Sequence, residues 1–209
     1  MIGRFKLAED FDNLTPGLKE LDHLDDSKHT LYVGVIHATG DRTIEYNQMI
    51  AEVQNNGATI NPVNGKYLTL PMPIAGKRHA REIDGLFFHM SKNGTPTLAK
   101  NENGKLVVYF ILKLQVKIPA RPFISLTQEK CLDLAEPILH EGVVDILLGD
   151  STAGEVLTKV GKVITVLMKK QMAEMTDIPN ASATERNKGF NHPLFDTGAL
   201  QRSIDWVVI

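Results

Sequence analysis

Apolar positions recur along the chain with helical spacing in some segments and strand spacing in others. Leu14, Leu18 and Leu21 share a helical face, and Thr15 and Pro16 suit the cap and first position of that helix. Asp22, Asp25 and Asp26 follow, where the helix is expected to stop. Residues 31–36 read as a strand. A second helix is expected from about Ile44 to Gln54, with Ile44, Gln48 and Ala51 on one side and Tyr46, Met49, Ile50 and Val53 on another. Asn55, Asn56 and Gly57 end it, because Asn and Gly accept the left-handed cap. Pro62, Gly65, Pro71, Pro73 and Gly76 punctuate the next stretch, which leaves strands only at 66–70 and 86–90.

The strongest β signal is 97–100, then Asn101-Glu102-Asn103-Gly104, then 105–118. Asn-Gly between two strand-like runs marks a hairpin. The second run is apolar from Leu106 to Leu112 and then alternates, with Leu114, Val116 and Ile118 opposite Lys113, Gln115 and Lys117. As one strand it would be over about 40 Å long, so part of it is expected to project from the domain. A helix with Ser125 and Gln128 as capping box follows, with a kink or break expected near Glu136 because Pro137 lies inside it. Thr152 and Glu155 open another, carrying the stripe Val156, Val160, Val163, Ile164, Leu167, Met168 and Met172. Residues 178–196 lack periodicity and read as an extended loop arm. A short helix capped by Asp196 or Thr197 and a terminal strand at 205–209 complete the chain, and an apolar end of that kind needs a partner strand. The expected fold is α+β: an antiparallel sheet with a long hairpin packed against two main helices, an extended arm and a C-terminal strand. Residues 1–209 form one expected domain, with 1–43 as an N-terminal extension.

Composition narrows the function classes. The chain has 209 residues, and a compact chain of its 23.2 kDa exposes roughly 9,700 Å². It carries 23 Lys+Arg against 25 Asp+Glu, without the basic excess of a protein that coats nucleic acid. The lone Cys131 excludes an intramolecular disulfide and a Cys-rich zinc site. No secretory h-region opens the sequence and no apolar run approaches the ~20 residues of a spanning helix, so an intracellular protein without membrane contact is expected.

Enzyme motifs are not matched. Gly76-Lys77 lacks the upstream Gly of a phosphate loop, where Pro71 stands, and has Arg78 in place of Ser or Thr. His140-Glu141 has no second His at helical zinc-protease spacing, and no Gly-x-Ser-x-Gly occurs. His29 and His37, with Asp25, Asp26 and Asp41 nearby, suggest a metal site only by proximity, and read better as polar histidines at the ends of a strand. The basic run Lys77-Arg78-His79-Ala80-Arg81 is followed at once by Glu82 and Asp84, and reads as a solvated loop or a salt-bridged subunit contact. No catalytic, cofactor or metal residues are assigned.

Two segments stand out. In Ile118-Pro119-Ala120-Arg121-Pro122-Phe123 the prolines force extended backbone, ending a strand before a helix and presenting the Arg121 fork in a set direction. Arg121 is expected to be buried and hydrogen-bonded, to Asp196 or to a backbone carbonyl. The other segment is Asn187-Lys188-Gly189, then Pro193-Leu194-Phe195-Asp196-Thr197-Gly198-Ala199-Leu200.

Together, and with Pro179-Asn180 between them, these segments resemble the bacteriophage neck and tail-completion family, often described as virion-morphogenesis or minor tail proteins. The resemblance covers about 105–209 and rests on Pro119, Arg121, Pro122, Phe123, Lys188, Gly189, Pro193, Leu194, Asp196, Thr197, Gly198 and Leu200. It implies a structural virion protein of the head–tail junction and not an enzyme. It further implies a homo-oligomeric ring, a hexamer or dodecamer, assembled in the host cytoplasm. The implied partners are neighbouring neck, portal-adaptor or tail-terminator proteins, with DNA passing through the lumen without sequence-specific binding. No cofactor is implied. The alternatives are a phage-encoded hydrolase or nuclease using His29, His37 and the Asp cluster, and a small-molecule or peptide-binding module.

Overall fold

The computed structural model describes residues 7–25 and 29–209, with side chains from 14 to 24 and from 29 onward. Among the described residues, six α-helices and eight strands follow in the order α1 (Leu7–Asp25), β1 (Leu31–Val35), α2 (Ile44–Asn56), β2 (Ala58–Ile60), β3 (Leu68–Pro71), β4 (Phe87–Met90), β5 (Pro96–Glu102), β6 (Lys105–Lys113), β7 (Val116–Ile118), α3 (Phe123–Leu148), α4 (Ala153–Glu174), α5 (Ser182–Lys188), α6 (Ala199–Ser203) and β8 (Ile204–Val208). The fold is α+β, and every strand pairing among the described residues is antiparallel.

The helical body is organised around α4. Thr152 and Glu155 form the expected capping box, with Thr152 N donating to Glu155 Oε2 at 2.9 Å. Its buried stripe runs through Val156, Val160, Thr165, Met168 and Met172, while Val163 and Leu167 are only half-buried. This face lies on α3 and on the ribbon β1–β8, in which Leu31 pairs with Val208 and Val35 with Ile204. The apolar C-terminus thus finds its partner strand at 31–35. His37 Nε2 lies 2.9 Å from Asp205 Oδ2 beside this ribbon. Burial works against the Asp205 carboxylate. The His37 hydrogen bond, the Trp206 N–H and the charges of His37 and Lys169 outweigh it and hold its pKa below the usual range.

The long second run of the hairpin breaks in two. β6 pairs with β5 and β3, and β7 pairs with β2, so the chain changes sheets at Leu114 and Gln115. Each half satisfies its backbone in a different ladder. The Asn103-Gly104 turn forms as expected, with φ of 50° and 79° and Glu102 opposite Lys105.

The hairpin sheet, in the order β3–β6–β5–β4, does not supply the surface that the two main helices cover. It has its own buried cluster of Ala75, Ile83, Tyr109 and Phe110. Residues 73–75 and 80–82 add two 3-10 turns to this lobe. The body has a separate cluster that includes Val35, Ala51, Phe123, Met168, Met172, Leu194, Leu200 and Ile204. The lobe cluster and the body cluster share no residue.

Helix boundaries differ from expectation in three places. α1 begins at Leu7 and carries Pro16 inside it, so Thr15 is not its cap. α3 begins at Phe123, without the Ser125–Gln128 capping box, and runs unbroken through Pro137. Residues 182–188 of the expected loop arm form α5, closed by Gly189 in the left-handed conformation.

α3 and α4 approach closely at Gly142. A Cβ there would lie 2.5 Å from Val156 Cγ1 and 2.7 Å from Cγ2, and Val156 is fully buried. A β-branched side chain has no second rotamer to escape into. Gly142→Ala is therefore expected to destabilise by about 1–3 kcal/mol through overpacking, despite a helix-propensity gain of up to about 1 kcal/mol. Pairing it with Val156→Ala should recover part of the loss. Denaturant unfolding checks this, and a stabilised single variant would mean that the two helices can move apart at no cost.

Candidate functional site

The two prominent sequence segments meet in one place. α2 sets it up through a buried stripe that is mostly polar: Asn47, Ala51 and Asn55. Asn47 Nδ2 donates to His37 O and Thr39 Oγ1, anchoring the helix start. At its other end Asn55 Oδ1 accepts from the N–H groups of Ile124 at 2.9 Å and Ser125 at 3.3 Å. The first turn of α3 is thus capped by a side chain about 70 residues earlier, in place of Ser125 and Gln128.

Arg121 sits at this junction and is only 4% exposed. Its backbone N–H donates to Gln54 O at 2.7 Å. Its guanidinium uses three nitrogens: Nε to Ile178 O at 3.0 Å, Nη1 to Gln54 Oε1 at 2.9 Å and Nη2 to Pro179 O at 3.0 Å. Every acceptor is neutral. The backbone-carbonyl expectation holds, whereas Asp196 is not among its acceptors and is exposed. Desolvation lowers the Arg121 pKa, but a guanidinium stays charged under any folding condition.

The fork ties 178–179 down, and the arm then folds back on itself. Asn180 N donates to Asn191 Oδ1, and Lys188 Nζ donates to His192 O at 2.8 Å. Burial pushes the Lys188 ammonium down from its usual range. The Asp196 charge opposes this and the Arg121 charge adds to it. Pro193, Leu194 and Leu200 are buried, and the latter two join Phe123 in the body core. Gly198, at φ 76°, stands at the N-terminus of α6. Asp196 and Thr197 therefore do not cap that helix by side chain; Thr197 O instead accepts from Arg202 Nη1. Pro119 and Gly189 are exposed and Pro122 is half-buried. Between the arm and α2 lies a cleft of about 300 Å³, lined in part by Arg42, Gln54, Asn180, Lys188 and Phe195.

The histidines imagined as metal ligands have separate partners. His29 stacks on His23 with ring centroids 5.2 Å apart, and His37 bonds Asp205. Asp26 and the side chain of Asp25 lie outside the described residues. Among the described residues no group of three or more His, Cys, Asp or Glu could hold a metal ion, and no helix is long and apolar enough to cross a membrane. In the basic run, Arg78 is used locally: Nε donates to Ala75 O and Nη2 to Ile74 O. Glu82 turns back to the N–H of His79.

Gln54, Asn55 and Asn47 are the residues that pattern reading missed. The only sequence signal for the last two was their spacing of eight, with Ala51 midway. Comparison with family models, with curated proteins and with solved structures finds no match for this chain.

Arg121→Ala removes three charge-assisted hydrogen bonds and strands two carbonyls. It is expected to destabilise the chain by about 2–4 kcal/mol in denaturant unfolding. Arg121→Lys keeps the charge but cannot reach three divergent acceptors, so it should recover less than half of that loss. A lysine variant as stable as the parent would show that the charge matters and the fork does not.

Proposed function

We propose that this chain is a structural protein of the bacteriophage head–tail junction, acting as a subunit of a homo-oligomeric neck or tail-completion ring around the DNA channel. The observation that carries the reading is the Arg121 junction. The box Ile118-Pro119-Ala120-Arg121-Pro122-Phe123 and the Pro179-Asn180 segment, which define the resemblance as separate strings, are bonded to one another by a single guanidinium. The Pro193–Leu200 box closes over the same core through Leu194 and Leu200. These residues act as an architectural fastening, with no step of chemistry required of them.

The rest of the molecule supports a role in assembly. Two small cores, open sheet edges and exposed Phe87, Phe88, Leu132 and Val166 suit a chain that completes its burial against other chains. Ring neighbours, portal-adaptor or tail-terminator proteins are the proposed partners, with DNA in the lumen held without sequence specificity. His29 and His37 engage different groups, which gives the hydrolase or nuclease alternative no geometric support.

Deleting the gene in the phage that encodes it tests the reading. The expected outcome is filled or leaking heads and separate tails, with tailed particles restored by the chain supplied in trans. Normal yields of tailed, infectious particles without it would contradict the proposal.

A further inference from the structure

The near-neutral total charge conceals a division. Residues 58–118, which hold β2–β7, carry nine Lys+Arg against three Asp+Glu. The remainder carries 14 against 22. The basic part is the hairpin lobe. Its outer edge is β4, which pairs only with β5 and ends the sheet. Phe87, Phe88 and Met90 on this strand are 40%, 55% and 50% exposed. Lys92 follows in the exposed turn, Arg81 precedes it, and the stem of Lys100 lies against Gly85.

The complementary surface is on α3. Leu132, Ala135, Leu139 and Val143 line a groove of about 440 Å³ with Glu136 and His140. Leu132 is 73% exposed. Glu129, Asp133, Glu136 and Glu141 stand exposed along the same helix, which has Lys130 as its one Lys or Arg.

We infer that the β4 edge of one copy docks into the α3 groove of the next copy. This deepens the ring assembly proposed above and rests on it. The occupant is a second copy because the chain supplies both halves of the match. An aromatic, basic strand edge meets an apolar, acidic helix face, so apolar burial supplies affinity and opposite charge supplies orientation. A surface made for DNA phosphates alone gives Phe87, Phe88 and Met90 no role. The two patches differ, so the contact is heterologous. Each copy keeps one free patch of each kind, and association continues until it closes into a ring or extends as a filament. Pairing also covers an edge strand that would otherwise be open to aggregation.

Sedimentation velocity on the full chain tests this with two variants at exposed or half-exposed positions. The lobe variant carries Phe88→Ser, Lys92→Ser and Lys100→Ser, and the groove variant carries Leu132→Ser, Asp133→Ser and Glu136→Ser. Thermal unfolding by circular dichroism confirms that each is folded. The parent chain is expected to assemble with rising concentration and to dissociate as salt rises. Each variant alone should sediment as a monomer. An equal mixture should give dimers and nothing larger, because only one intact lobe and one intact groove can meet. Parent rings that the variants leave unchanged would overturn this contact while leaving the ring reading standing. A parent that stays monomeric at every concentration and salt would overturn both. A lobe variant that still assembles but loses retention on duplex DNA would assign the basic lobe to nucleic acid and overturn the docking.

Discussion

A buried guanidinium without a carboxylate partner is the constraint on which the body depends. Arg121 must be solvated by dipoles, and the protein supplies two main-chain carbonyls and one side-chain amide oxygen from two other segments. A charge removed from water tolerates no looseness in that shell. Its acceptors therefore fix where α2 ends, where α3 begins and where the arm crosses. Phe123, two residues on and fully buried, enters the core because Arg121 holds the chain there.

The close approaches elsewhere work by the same logic of fixed geometry. A Cβ at Gly142 would meet Val156, one at Gly17 would meet the α3 backbone at Ile146 and Leu147, and one at Gly161 would meet Trp206 and Leu31. α1 and α4 are thus set at short distances from α3, and the β1–β8 ribbon at a short distance from α4. The hairpin lobe is joined to this body through the β2–β7 ladder and has a core of its own. The body is set by close contacts, whereas the lobe leaves Phe87, Phe88 and Met90 of its β4 edge exposed.

Much of this was legible from local chemistry. The Asn103-Gly104 hairpin, the Thr152–Glu155 capping box, the α2 start at Ile44 and the strand status of the C-terminus each follow from residues adjacent in sequence. What escaped pattern reading depends on distant partners. The α3 cap comes from Asn55, which nothing near Phe123 reveals. The buried face of α2 is Asn47-Ala51-Asn55, which hydropathy reads as solvent-facing. α5, with the sequence Ser-Ala-Thr-Glu-Arg-Asn-Lys, has no apolar stripe and is held by the tethered arm around it. Pro137 is tolerated inside α3, although a proline in that position normally predicts a break. At the site, the burial of Arg121 was foreseeable from its flanking prolines, but the identity of its acceptors was not.

Native-state hydrogen exchange is the most direct test of the claim that Arg121 joins these segments into one unit. The amides of Arg121, Ile124 and Ser125 sit on the α2 side of the junction, and that of Asn180 sits on the arm. If the guanidinium unites them, all four exchange through one shared opening with the same free energy and the same denaturant dependence. Exchange of the Asn180 amide at the rate of a free loop, while the first turn of α3 stays protected, would contradict the account.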